Sequence, residues 1–253
     1  MKNLIIINYF RGKTGYPVFW QYDKELQSVI TRSNLRNFVR LLCYLSVLIF
    51  NVNTNEIIVS FCLLTLGCFV HYLTKGQLIR NVVMCNNGIY GIVRHPYYMA
   101  NYLIDVSFCL LTGNPYLLLI YPFLFFWVYG STLRKEEKYL ADTHNEPYIE
   151  YLLDVPQVFP DSYFTIYLKN VFSGFSKKRI SRNEVSRILR FWSTAIFIIF
   201  LHTLKTTYFT KMCFSDYSEF KTSALLLSSV IVLYIVSIFV RGDRTKQPSP
   251  KTC

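Results

Sequence analysis

The sequence predicts an all-α, polytopic membrane protein with about six transmembrane helices. Its 253 residues are 52% hydrophobic and only 17% charged, whereas soluble domains carry about 25% charged residues. The net charge is +12, and in so apolar a chain an excess of Lys and Arg is typical of loops that face anionic lipid. We therefore expect membrane lipids, and not nucleic acid, as partners.

Long stretches without charged residues place the individual spans. The first runs over 41–55 and is extended back to residue 38, with Arg40 at the helix end reaching towards the headgroups. The stretch 106–133 is too long for one helix and is broken by Gly113-Asn114-Pro115, which predicts a tight turn. The six predicted spans are 38–55, 57–74, 96–112, 116–133, 185–204 and 222–240.

The distribution of positive charge agrees with this topology. With six spans, 23 of the Lys and Arg residues fall on the side of the two termini and 3 on the other side. Because cytoplasmic loops carry the excess of positive charge, we expect an integral membrane, multi-pass protein with both termini in the cytoplasm. The predicted organisation is a cytoplasmic N-terminal segment 1–37, a membrane core 38–160 containing a helical hairpin 96–133, an interfacial amphipathic segment 161–190 with a helix over 163–175, two C-terminal transmembrane helices 191–240 and a disordered tail 241–253.

The cysteines and histidines do not predict a metal site. None of the seven cysteines forms a CxxC pair, and the four histidines fall on separate predicted elements. The glycine-rich motifs GxGxxG and GxxxxGK[ST] of nucleotide sites are also missing from the sequence. Any catalytic site in this chain must therefore be built differently.

One polar segment, 86–98, precedes the third predicted span. Gly88 and Gly91 permit close approach of a ligand to the backbone, and Pro96 suits the first turn of a helix. Arg94 and His95 then lie at the positive end of that helix, where a carboxylate binds well. The alternative is that Arg94 only anchors the helix at the interface, as Arg commonly does.

A second polar segment, 134–139, follows the fourth predicted span. A hairpin with a three-residue turn runs antiparallel, so Glu136 and Glu137 are expected at the same membrane depth as Arg94 and His95. A solvated run of charges at a helix end is the plainer interpretation. A structural pairing of these residues with Arg94 is another.

Several short motifs occur in a fixed order along this region. They are Gly88-Ile89-Tyr90, Arg94-His95-Pro96-x-Tyr98, Glu136-Glu137, Tyr148-x-x-Tyr151 and Val155-Pro156. This ordered set resembles the isoprenylcysteine carboxyl methyltransferase and phospholipid methyltransferase superfamily, over roughly a third of the chain. Members of that superfamily are integral membrane enzymes that use S-adenosylmethionine.

The resemblance implies a site for S-adenosylmethionine at the cytoplasmic face and a lipidic or lipidated methyl acceptor. The residues that it places at the cofactor are Val82, Val83, Met84, Cys85, Tyr90, His95, Pro96, Tyr97, Tyr98 and Glu136. A carboxylate acceptor needs positioning by Arg, whereas an amine acceptor must first lose a proton to a base. The catalytic candidates are accordingly Arg94, His95, Arg134 and Glu137.

The sequence departs from the prenylcysteine enzymes at the acceptor side. Those enzymes have a substrate-binding Arg at the place of Thr132, and their run of glutamates is longer, with Arg134 and Lys135 taking its first positions here. A shifted Arg134 is the candidate to replace the missing side chain. Carboxylate, amine and thiol acceptors all remain open.

Two other functions fit parts of the pattern. Sterol-reductase-like membrane oxidoreductases, which use NADPH, also carry an RHPxY-type segment, although the Glu136-Glu137 pair and the short hairpin favour the methyltransferase. A non-catalytic membrane scaffold or transporter is the alternative from another class. Its one indication is Asp105, an ionisable residue inside a predicted span, which can equally pair with Asn101 or a neighbouring helix.

Overall fold

The structure, a computed structural model, describes residues 32–79, 84–162, 168–209 and 217–241. Within these ranges all regular secondary structure is helical, which confirms the predicted all-α class. The α-helices are α1 (Arg32–Ile49), α2 (Thr54–Gln77), α3 (Pro96–Leu111), α4 (Pro115–His144), α5 (Glu146–Asp154), α6 (Arg182–Leu204) and α7 (Tyr217–Val240). The disordered tail predicted beyond Arg241 and most of the predicted N-terminal segment lie outside the described residues.

Six of these helices lie where spans were predicted, and α5 lies in the predicted cytoplasmic loop. Four of them, α2, α4, α6 and α7, are long and apolar enough to cross a membrane. Helices α1 and α3 are shorter, with 18 and 16 residues. The structure therefore gives four candidate spans, and the full number of six stays a prediction.

A tight turn joins α3 to α4. Gly113 has a φ of 66°, a left-handed conformation that glycine adopts without strain. The Asn114 side chain accepts hydrogen bonds from the amides of Tyr116 and Leu117, at 3.0 and 3.2 Å, and so caps the N-terminus of α4. Its amide nitrogen donates to Ser46 Oγ at 2.9 Å. The turn is thus bound to α1, and α4 runs back beside α3 towards the opposite end of the bundle.

Helix α1 begins earlier than the sequence predicted. It starts at Arg32, and Arg40 lies in its middle instead of at an end. The reason is an internal charge pair: Arg36 Nη2 lies 3.3 Å from Asp105 Oδ1, and Tyr121 donates to Asp105 Oδ2 at 2.9 Å. Asp105 neutralises Arg36, so this charge is tolerated inside the bundle. Asp105 therefore pairs with neighbouring helices, which removes the one indication of a transport pathway.

The described part of the predicted interfacial helix has a different conformation. Residues 163–167 of that prediction lie outside the described residues, and the chain from 168 to 180 forms two single turns of 3-10 helix, Leu168–Asn170 and Lys177–Arg179. Arg179 Nη1 donates to the carbonyls of Gly174 and Gln77, at 2.8 and 3.2 Å. Contacts with the end of α2 thus hold this segment, in place of the internal hydrogen bonds of a continuous helix.

Candidate active site

Three segments meet at one end of the bundle, where α2 ends and α3 begins. They are the loop before α3, the polar end of α4, and α5 with the residues that follow it. The first is the loop before α3, whose one turn of 3-10 helix covers Gly88–Gly91. Gly88 has a φ of 65°, and a Cβ atom there would lie 2.5 Å from the Gln77 side chain. Gln77 Oε1 in turn accepts from the Ile89 amide at 2.9 Å. A larger residue at this position would carry the strain of a left-handed backbone and would press on the side chain that holds the loop.

Arg94 is the centre of the contacts between these segments. Its Nε and Nη2 donate to Glu137 Oε1 at 3.0 and 2.9 Å. Its Nη1 donates to the carbonyls of Leu152 and Val155 at 2.8 and 2.6 Å. The side chains of Arg94 and Glu137 are only 11% and 10% exposed. Arg94 therefore uses its N–H donors for hydrogen bonds within the protein, and these bonds join α4 to the end of α5.

Backbone hydrogen bonds attach the segment after α5 to the start of α3. The amides of Arg94 and His95 donate to the carbonyls of Pro156 and Gln157, both at 2.9 Å. Pro156 and Gln157 thus supply acceptors for two donors that precede the first turn of α3, whose N-cap residue His95 makes no side-chain capping hydrogen bond. The last of the ordered motifs therefore lies against the segment that contains Arg94 and His95.

His95 lies between the two glutamates of α4. Its Nε2 lies 3.3 Å from Glu137 Oε1, and its Nδ1 lies 3.9 Å from Glu136 Oε2. The ring is buried, with 7% of its side chain exposed. His95 therefore connects the start of α3 to both glutamates of α4.

Glu136 is the more accessible of the two glutamates. Its side chain is 44% exposed, and its Oε1 accepts a hydrogen bond of 2.6 Å from the hydroxyl of Tyr98. The Tyr98 ring is buried and packs edge-on against Tyr129, with 5.4 Å between ring centroids. Tyr98 thus fixes one oxygen of a carboxylate that otherwise faces outward.

Two tyrosines of α5 support the loop from the other side. The Tyr151 hydroxyl donates to the carbonyl of Tyr90 at 2.6 Å, and Tyr148 is buried beside it, with 5.9 Å between ring centroids. Burial raises the pKa of both phenols well above the ordinary value. They remain protonated at neutral pH, so Tyr151 keeps its role as a donor.

A cavity of about 410 Å³ lies between this loop and α5. That volume falls within the range of about 300–1,000 Å³ of small-molecule sites. Its lining includes Met84, Gly88, Gly91, Glu150, Tyr151 and Asp154. Two carboxylates, an aromatic ring and glycine backbone therefore surround a space large enough for a small ligand.

Among the predicted cofactor residues that the structure describes, Met84 is the one that lines the cavity, and the others lie around it or at the Arg94–Glu137 contacts. Cys85 Sγ lies beneath the loop, 3.8 Å from the Gln77 carbonyl. Pro96 occupies the first turn of α3, as predicted. Val82 and Val83 lie outside the described residues.

Tyr97 faces away from the glutamates, unlike its neighbour Tyr98. Its hydroxyl accepts a hydrogen bond of 2.9 Å from Arg187 Nη1, and Lys75 Nζ lies 4.4 Å from the centre of its ring. Consecutive residues of a helix point about 100° apart, which separates the two rings. The structure therefore places Tyr97 in a contact between α2, α3 and α6, which the motif alone does not distinguish from a cofactor contact.

Arg134, another of the predicted catalytic residues, also lies on α4. It lies about one turn before Glu137, and its Nη1 extends back along the helix to within 3.7 Å of the place where a Cβ on Gly130 would be. Its side chain therefore points towards the apolar part of α4. This direction suits a residue that meets a ligand entering from the bilayer.

Several residues of this region could not be recognised from the sequence. Glu150 and Asp154 line the cavity, although nothing about them stands out in a polar loop. The carbonyls of Leu152 and Gln157 bind Arg94 and His95, and carbonyl acceptors leave no trace in a sequence. The spacing of Glu150 and Asp154, four residues apart on one face of a helix, is the one pattern that could have found the pair.

Comparisons with known proteins find matches to the region of the chain that contains this site. Residues 47–142 match the sequence model of the isoprenylcysteine carboxyl methyltransferase (ICMT) family. The resemblance to this superfamily is therefore confirmed. A protein-S-isoprenylcysteine O-methyltransferase of the yeast Saccharomyces cerevisiae is 31% identical over 87 residues, which are 34% of this chain and 36% of the yeast protein. The match thus spans about a third of that relative, and no solved structure matches the chain.

Proposed function

We propose that this chain is an integral membrane methyltransferase that uses S-adenosylmethionine and transfers its methyl group to a lipidic or lipidated acceptor. The observation that carries the proposal is the meeting of Arg94 and His95 with Glu136 and Glu137, inside the part of the chain that matches the ICMT family. The proposal includes six spans and both termini in the cytoplasm, so that the site faces the cytoplasm.

The cavity beside Gly88 and Gly91 fits the polar groups of S-adenosylmethionine. The cofactor carries an ammonium group and two ribose hydroxyls, which carboxylates bind well, and an adenine ring, which packs on aromatic side chains. Glu150, Asp154 and Tyr151 line the cavity and offer these groups. Glycine at positions 88 and 91 lets a ligand approach the backbone closely.

When bound, S-adenosylmethionine supplies a methyl group that is activated by a positive sulfur atom. The rest of the cofactor is the leaving group. The chain must then align the donor with the acceptor and exclude water. Arg94 and Glu137 are positioning residues for this task, because their hydrogen bonds fix α4 against α3 and α5. Tyr98 orients Glu136, which is exposed enough to contact a ligand.

In this proposal the acceptor reaches the site from the bilayer, along the apolar part of α4. Arg134 points along α4 towards its apolar part, and a guanidinium there would attract a carboxylate at the end of a lipid chain. For an amine acceptor, His95 is the base, because it already contacts both glutamates.

One experiment tests the activity as a whole. Membranes that contain the full chain are incubated with S-adenosylmethionine carrying a labelled methyl group, and label is measured in the lipid, protein and small-molecule fractions. We expect label in lipid or in lipidated protein, and its loss in the Glu136→Gln variant. The Glu146→Gln variant, which removes an exposed carboxylate outside the cavity, is the control. Binding of NADPH without binding of S-adenosylmethionine would instead support a reductase.

A further inference from the structure

A second cavity, of about 350 Å³, lies between α1, α6 and α7 and is lined by four arginines. Arg36 and Arg40 are about one turn apart on α1, and Arg187 and Arg190 about one turn apart on α6. None of the residues that line it is an Asp or a Glu. Four guanidinium groups around one cavity between helices are costly unless anions compensate them.

Internal carboxylates compensate only two of these arginines within the described part of the chain. Arg36 pairs with Asp105 at 3.3 Å, and Arg187 pairs with Glu184 at 3.0 Å. Arg40 and Arg190 have no carboxylate within 4.0 Å among the residues that the structure describes. The buried Nε of Arg40 also lacks a hydrogen-bond acceptor there. The positive charges of Arg40 and Arg190 thus face the cavity, where an external anion would neutralise them.

The cavity extends towards the end of the bundle that holds the candidate active site. Arg187, which lines the cavity, donates to the hydroxyl of Tyr97 at the start of α3, at 2.9 Å. The N-terminal half of α1 also packs there, since Arg36 lies 5.0 Å above the ring of Phe191. The positive-inside rule assigns this end to the cytoplasmic leaflet, in which anionic lipids are concentrated.

The rest of the lining suits a lipid better than a small ion. Phe191, Phe197 and Val230 give the cavity an apolar wall beside the arginines. Tyr234 lies at its edge on α7 and is 53% exposed, on a helix whose large apolar side chains mostly face outward. An acyl chain can therefore lie along α7 while the headgroup reaches the guanidinium groups.

We propose that this cavity binds the phosphate of an anionic phospholipid, with Arg40 and Arg190 as its ligands. Guanidinium groups bind phosphate through paired, charge-assisted hydrogen bonds, which Arg provides better than Lys. The site does not depend on methyl transfer. It needs only that the helices lie in a membrane with this end in a leaflet that contains anionic lipid.

The test measures lipid binding to the purified full chain by native mass spectrometry. Phosphatidylglycerol is titrated into the wild type and into Arg40→Gln/Arg190→Gln, with phosphatidylcholine as the zwitterionic comparison. We expect one phosphatidylglycerol per chain, bound more tightly than phosphatidylcholine, and at least about tenfold weaker binding in the double variant, because the charge-assisted hydrogen bonds to the phosphate are lost. The control, Lys177→Gln/Lys178→Gln, removes the same charge from an exposed turn and should bind as the wild type does.

Three results would overturn the proposal. They are unchanged binding in Arg40→Gln/Arg190→Gln, an equal loss in the lysine control, and complete displacement of the lipid by millimolar inorganic phosphate, which would show that the anion alone suffices. The variant Arg40→Lys/Arg190→Lys keeps both charges and should fold even if the glutamine pair does not. We expect it to bind more weakly than the wild type but still to prefer phosphatidylglycerol.

Discussion

Arg94 and Glu137 form a buried pair in which two guanidinium nitrogens, 3.0 and 2.9 Å away, share one carboxylate oxygen. The third nitrogen of Arg94 holds the carbonyls of Leu152 and Val155. One side chain thus connects the start of α3, the end of α4 and the end of α5. The geometry of the candidate site depends on this connection.

Replacing Arg94 should destabilise the protein strongly. In Arg94→Ala, Glu137 would be left with a charge in a buried position, and breaking such a pair costs about 3–5 kcal/mol. Arg94→Lys should recover only part of this, because an ammonium group cannot reach both the carboxylate and the two carbonyls. Thermal unfolding in detergent measures the effect. The exposed Lys138→Ala on the same helix is the control, and equal stability of the Arg94 and Lys138 variants would contradict the account.

Tyr98→Phe should weaken cofactor binding while leaving the fold intact. The change removes the 2.6 Å hydrogen bond to Glu136 and keeps the ring packed on Tyr129. A net loss of about 1 kcal/mol corresponds to roughly fivefold weaker binding. Calorimetric titration with S-adenosylhomocysteine measures it. Tyr139→Phe, which alters a side chain that is 64% exposed, should have no effect, and an unchanged affinity in Tyr98→Phe would remove Tyr98 from the site.

Gly88→Ala should cost more stability than the same change at Gly174. Both glycines have positive φ, at 65° and 71°, so both substitutions carry the strain of a left-handed alanine, about 1 kcal/mol. Only at Gly88 would the new Cβ lie 2.5 Å from Gln77, whereas nothing lies within 4 Å at Gly174. Unfolding midpoints of the two variants, compared in one detergent, check the difference. Equal midpoints would show that the Gln77 contact does not hold the loop.

The turn between α3 and α4 should lie on the side opposite to the candidate site. Tyr116→Cys suits a labelling experiment, because Tyr116 is 66% exposed while its neighbour Asn114 caps α4. In a cysteine-free background, a membrane-impermeant maleimide should label residue 116 from outside and an exposed Lys178→Cys only after the membrane is opened. The reverse pattern would place the site outside the cytoplasm.

The part of the site that follows from topology was predictable from the sequence. A three-residue turn leaves α3 and α4 no arrangement but an antiparallel one, so the ends that carry Arg94 and Glu137 had to meet. The sequence could not assign different partners to Tyr97 and Tyr98, because the partner of Tyr97, Arg187, lies on α6, whose packing against α3 the sequence does not fix.

Other features escaped prediction because their cause is a long-range contact. Arg36 continues α1 since Asp105, 69 positions away, neutralises it. The segment 168–180 forms turns because its backbone binds the end of α2, as Ser176 does by donating to the Gly76 carbonyl at 2.9 Å. Local hydrophobic periodicity carries no information about such partners.

The binding of S-adenosylhomocysteine to the purified protein tests the central claim most directly. Its dissociation constant is measured by calorimetry for the wild type, for Glu136→Gln and for the control Glu146→Gln. We predict binding to the wild type and the control, with at least about tenfold weaker binding to Glu136→Gln, because a charge-assisted hydrogen bond to the ligand is lost. Equal affinity in all three proteins, or no binding to the wild type, would contradict a cofactor site at the meeting point of Arg94–Tyr98 and Glu136.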